Sequence, residues 1–118
     1  MCVFCKIIDR EIPSTVVYED ELVMAILDIN PLTEGHTLVF PKVHVEDLFD
    51  CPPDTFEYLS RIVQQVAIDT QLQYQANGFN LLQNSKAVSG QIIPHLHFHL
   101  IPRYQENELV ILKKDSEQ

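Results

Sequence analysis

Residues 92–103 read IIPHLHFHLIPR, and three of the five histidines in the 118-residue chain stand there, at positions 95, 97 and 99. Leu96, Phe98, Leu100 and Ile101 fill the positions between and after them. On a strand, alternate side chains share one face and lie roughly 6.6 Å apart. The spacing therefore predicts a ladder of three imidazoles on one face, with Leu96, Phe98 and Leu100 turned into the core. The outer two would sit about 13 Å apart along the backbone, too far to share one tetrahedral ion bound at about 2.0–2.1 Å. Such a ladder points to divided labour: one nucleophilic imidazole, neighbours that orient it or touch a substrate, and one end left for a separate metal. The alternative is a half-exposed strand that uses His as its polar residue.

The segments around this strand set the architecture. GFNLLQ (78–83) is a β-rich run, followed by a polar loop at 84–91. Phe56, Leu59, Ile62, Val63, Val66 and Ile68 mark a stripe of helical period, which predicts a long helix from an N-cap at Asp54 to about Gln75. TVVYE (15–19) and LVMAILDI (22–29) flank a short acidic turn as a hairpin would, and TLVFP (37–41) follows the turn-forming NPLTEGH (30–36). Val3, Phe4, Ile7 and Ile8 recur at helical spacing, so residues 3–9 form a short helix ahead of Pro13. The order of strands, one main helix, then strands predicts an α+β fold with an antiparallel sheet, as one domain over 1–118.

Composition narrows the function. A net charge of −9 and a pI of about 4.8 argue against a nucleic-acid polymer as partner, because such binding rests on Lys and Arg neutralising phosphates. A small phosphorylated ligand needs only a few local donors and is not excluded. No apolar run approaches the ~20 residues of a membrane span, and MCVFCKIIDR lacks the basic-then-apolar order of a signal peptide. The chain is therefore expected in the cytoplasm, away from membranes. There, three cysteines read as thiols or metal ligands rather than as a disulfide framework. Cys2-x-x-Cys5 offers two thiolates, and a zinc site needs two further ligands. Two small buried residues at a helix start would look the same.

In these residues the chain resembles the histidine triad superfamily of nucleotide-binding hydrolases and transferases, named for the pattern H-φ-H-φ-H-φ-φ that HLHFHLI (95–101) matches. The resemblance extends over FCKII and REIP near the start, ILDI, GHTLVFPK (35–42), GFNLLQN, the Gly90–Gln91 pair and HLIPRY. It implies a HIT-like sheet of about five antiparallel strands with one long and one short helix, paired as a homodimer. His97 corresponds to the nucleophile, which attacks the α-phosphorus of a nucleotide to form a nucleotidyl-histidine later cleaved by water. Imidazole suits the task, being mostly neutral at cellular pH and a good leaving group once phosphorylated and protonated. His99 and His36 match positions flanking the phosphate, and Asn84 and Gln91 match amide donors there. Asp28, with Ile29 beside it, matches the carboxylate that takes the ribose hydroxyls. Val3, Phe4, Ile7 and Ile26 match the lining of the base pocket.

Without the resemblance, Asp28 would be a turn residue, the Val3/Phe4/Ile7 stripe would be core, and Asn84 a loop amide. Part of the superfamily carries structural zinc on a Cys pair, a histidine after the third strand and the first triad histidine. Those positions are Cys2, Cys5, His44 and His95 here; Cys51 matches no role. The implied activity is that of a hydrolase or nucleotidyl transferase acting on purine nucleotide derivatives, with AMP as a ligand. A dinucleoside polyphosphate hydrolase and a regulatory nucleotide-binding module with little turnover are the alternatives. Many relatives place Ser or Thr after the glutamine, whose hydroxyl helps protonate the leaving group; this chain has Ile92.

Overall fold

The computed structural model describes residues 2–109. A short helix, α1 (Val3–Ile8), precedes three strands, β1 (Val16–Glu19), β2 (Val23–Leu27) and β3 (Thr37–Pro41). A long helix, α2 (Pro53–Tyr74), then leads to β4 (Gly78–Leu82) and β5 (Phe98–Arg103). The five strands make one sheet in the order β1-β2-β3-β5-β4, and every neighbouring pair is antiparallel.

The apolar run in β2 lacks polar alternation because both faces of the sheet are covered there. Val23 and Ala25 join Val39 of β3 against Leu59, Ile62, Val63 and Val66 of α2. Met24 and Ile26 join Leu38 and Phe40 on the opposite face, under Phe4 and Ile7 of α1. The short N-terminal helix therefore closes one side of the sheet and the long helix closes the other. Among the described residues, no helix is long and apolar enough to cross a membrane.

Three local expectations are corrected. The N-cap of α2 is Pro52 and Pro53 takes the first helical position, so Asp54 lies inside the first turn rather than capping it. Proline suits that position because its missing N–H would be unpaired there anyway, and the Asp54 carboxylate meets the positive end of the helix dipole. Ile68 is 51% exposed, two residues out of phase with Val66. The third correction concerns the triad. Ladder pairing of β3 with β5 runs from Thr37↔Leu100 to Val39↔Phe98, so His95 and His97 precede the strand and only His99 lies within it. The next rungs would reach Pro41, which has no N–H to give. The chain turns away there instead, and the Leu96 N–H donates to the Val45 carbonyl at 2.8 Å.

The turn before β3 depends on Gly35, whose φ is +89°. A Cβ at Gly35 would stand 2.9 Å from the Tyr74 ring, so only glycine lets the end of α2 pack against the turn that delivers His36.

Candidate active site and metal centre

Four side chains far apart in sequence converge beneath α1. His95 Nδ1 lies 3.3 Å from Cys2 Sγ, 3.7 Å from Cys5 Sγ and 3.2 Å from His44 Nδ1, and Cys5 Sγ lies 3.3 Å from His44 Nδ1. A tetrahedral zinc with Zn–N near 2.0–2.1 Å and Zn–S near 2.3 Å sets ligand edges of about 3.3 Å for N···N and about 3.5 Å for N···S. The quartet fits that ion. His95 is prepared as a ligand, because its Nε2–H donates to the Pro41 carbonyl at 2.7 Å and leaves Nδ1 bare. Burial above all holds its pKa down at about 4, so the ring is neutral at pH 7. Burial, then the adjoining Cys2 thiol, push the Cys5 thiol up to about 11.

The same residue serves its neighbour through the main chain. His97 Nδ1–H donates to the His95 carbonyl at 2.7 Å, which fixes the tautomer and leaves Nε2 with a free electron pair. His97 is 6% exposed, and burial lowers its pKa, which favours the uncharged ring over the imidazolium. Phe4 stacks on Phe40 at 4.3 Å and turns its edge to both His95 and His97, at 5.6 and 5.1 Å between ring centres. Helix α1 and its N-cap thus carry the two thiols of the quartet and an aromatic wall beside His97.

Beyond His97, its ring centre 5.0 Å away, stands His99. Its Nδ1 lies 3.0 Å from Nε2 of His36, which also faces Asp28 Oδ2 at 3.6 Å. Asp28 closes the turn as well, because its Oδ1 accepts the Asn30 N–H at 2.9 Å. A cleft of about 460 Å³ opens beside it between Pro13, Ser14, Thr15, Leu27 and Ile29, and Ile29 is 84% exposed.

The other expected site residues are placed differently. Phe4, Ile7 and Ile26 are buried in the cluster under α1, and Val3 is partly exposed at its margin. Gln91 braces the loop: its Oε1 accepts the Lys86 N–H at 2.7 Å and its Nε2 donates to the carbonyls of Glu46 and Ile93. The Asn84 amide lies against Gly90, where a Cβ would stand 3.4 Å from its Nδ2. Ile92 is 90% exposed. Sequence reasoning missed the carbonyl of Pro41 as the group that orients His95, and a main-chain acceptor leaves no mark in residue identity.

His99 gives the site a pH dependence. Burial first, then His97 and His36, lower its pKa to about 4, against a raising effect of Asp28. The unfolded chain therefore binds a proton between pH about 6.5 and 4 that the folded chain refuses, and stability is lost as pH falls through that window. For this partly exposed ring the loss is on the order of 1–2 kcal/mol after solvent screening is allowed for. Urea titrations at pH 7.5 and 5 measure it. The difference between the two pH values should shrink in His99→Asn, and an unchanged difference would exclude His99 as its source.

Residues 9–106 match the family model described as the HIT domain. A HIT-like protein of Methanocaldococcus jannaschii, named as uncharacterised, is 46% identical over 112 residues, spanning 94% of this chain and 85% of its own. An adenosine 5′-monophosphoramidase of Candida albicans is 37% identical over 109 residues, spanning 89% of this chain and 72% of its own. A zinc-bound histidine triad family protein from Mycobacterium smegmatis superposes with a TM-score of 0.88 at 37% identity, covering 98% of this chain and 84% of the other.

Proposed function

The chain belongs to the HIT family, and on that footing we propose that it cleaves purine nucleotide derivatives at the α-phosphate through a nucleotidyl-histidine at His97. The observation that carries the reading is the 2.7 Å bond from His97 Nδ1–H to the His95 carbonyl, which leaves a neutral Nε2 with its electron pair free. That pair attacks the α-phosphorus as the bond to the leaving group breaks. Water then attacks phosphorus, the P–N bond opens, and the pair returns to Nε2 as AMP departs. The phosphoramidase relative in Candida albicans supports a phosphoramidate as one substrate class.

Zinc is the ion proposed for Cys2, Cys5, His44 and His95, in keeping with the zinc-bound relative. Four protein ligands close its coordination, so its chemistry is structural. Catalysis rests on the imidazoles. A homodimer follows from the family resemblance, with β4 as a terminal strand of the sheet among the described residues. Nucleotide substrates and reduced thiols both suit the cytoplasm.

The deciding experiment offers adenosine phosphoramidate, diadenosine tri- and tetraphosphate and nucleotidyl sugars, and measures AMP release. Turnover confined to the diadenosine compounds would move the assignment to a dinucleoside polyphosphate hydrolase. Tight AMP binding with no release from any of them would make the chain a regulatory nucleotide-binding module, a reading that Ile92 in place of a hydroxyl favours.

Asp28 tests the nucleotide end. If its carboxylate receives both ribose hydroxyls, Asp28→Ala weakens AMP by ~1.5–3 kcal/mol, the usual worth of hydrogen bonds to a charged group. Affinity for 2′,3′-dideoxy-AMP stays nearly unchanged. Isothermal titration with both ligands reads the difference, and equal losses would reduce Asp28 to the turn it closes.

A further inference from the structure

Asp28, His36 and His99 bring three potential ligand atoms within 4.8 Å of one another, the second such group among the described residues. The hydrogen bonds argue against a metal there. The Leu32 main-chain N–H points at His36 Nδ1 from 3.1 Å, and that proton cannot be moved elsewhere. His36 Nδ1 must therefore accept, and a neutral ring with a bare Nδ1 carries its one proton on Nε2. A metal would need a bare Nε2, hence a proton on Nδ1 facing the Leu32 N–H. Nε2–H instead donates to His99 Nδ1, 3.0 Å away. That nitrogen must then be bare, so the single proton of neutral His99 stands on its Nε2.

We infer that His36 is a positioning residue that relays the Leu32 amide into the tautomer of His99, making His99 Nε2–H a fixed donor to the phosphoryl group. The inference rests on the proposed hydrolase reading for what the donor touches. Adjacent imidazoles then hold opposite tautomers, each dictated by the main chain. His97 presents a bare Nε2 to phosphorus, and His99 presents an N–H to the charge that gathers on a phosphoryl oxygen. His36, 2% exposed and holding Nδ1 on the Leu32 amide and Nε2 on His99, has no nitrogen left for a ligand. His97, His36 and Asp28 are the titratable groups that face His99.

The first test needs no substitution. In ¹⁵N-labelled protein at pH 7.5, long-range proton–nitrogen correlations distinguish bare from protonated ring nitrogens. His99 should show a bare Nδ1 and a protonated Nε2, and His97 the reverse. A protonated Nδ1 on His99, or an even mixture, would overturn the relay. The second test compares His36→Met with His36→Gln. Met removes the donor and should lower kcat by tenfold to a hundredfold, on the order of what losing a transition-state donor or its orienter costs, with KM little moved. Gln, whose amide N–H can reach His99 Nδ1, should recover most of that loss; equal losses in the two variants would sink the proposal. The two readings fail separately. Correct tautomers in a protein that releases no AMP would end the hydrolase reading alone, and reversed tautomers in an active enzyme would end the relay alone.

Discussion

His97→Ala should release no measurable AMP from any compound in the substrate panel while remaining folded. The variant loses the only imidazole nitrogen in the triad that is bare, uncharged and not committed to the metal quartet or to His36. Loss of a covalent nucleophile raises the barrier by several kcal/mol, and each ~1.4 kcal/mol is a factor of ten, so a fall of at least about 10³-fold is expected. Folding should survive, because the ring's hydrogen bond to the His95 carbonyl can be given up without orphaning a charge. Near-ultraviolet circular dichroism and retained AMP binding check the fold. Turnover within threefold of the parent would remove His97 from the role of nucleophile.

The second large effect concerns the metal. Protein purified without added zinc or chelator should contain about one ion per chain. Cys5→Ala should lose it, whereas His99→Ala should keep it, since His99 faces His36 and not the quartet. Structural zinc contributes to folding directly, and in small domains its binding is worth many kcal/mol. Even a fraction of that, several kcal/mol, lowers Tm by at least about 10 °C in a chain of this size. Calorimetry of Cys5→Ala and of chelator-treated parent should give matching curves. Nucleotide affinity should fall with stability, because α1 and its N-cap carry the thiols together with Val3 and Phe4, which the family resemblance assigns to the base pocket. Full zinc retained in Cys5→Ala, or none taken up by reduced parent, would contradict the site.

Much of the fold was written in punctuation and period. TLVFP is bounded by a turn glycine–histidine and by its own proline, and β3 spans those five residues. The stripe Leu59, Ile62, Val63, Val66 marked the buried face of α2 because one sheet face lies along its length. The start of α2 was less legible, since Asp54 and Pro53 both favour a helix beginning and only geometry decides between them. Period two around the histidines identified a strand but not where its pairing begins, which Pro41 on the neighbouring strand limits. At the site, residue types announced which side chains could do chemistry. They could not announce that the Gln91 amide would be spent on loop carbonyls, nor that main-chain groups of Leu32 and Pro41 would set the protons of His36 and His95. Those partners are common to every amino acid and carry no letter of their own.

His95 carries this to a consequence for how the protein can change over generations. Its ring answers to the metal quartet and its carbonyl answers to His97. A codon change at position 95 erases the first duty and leaves the second, because any residue brings a carbonyl with it. On the proposed reading, lineages are therefore free to abandon the ion, provided the sheet and α1 are stabilised some other way, without rewriting the instruction that aims His97. Loss of the proposed ion and loss of the proposed catalysis would then be separable by inheritance even where one residue serves both.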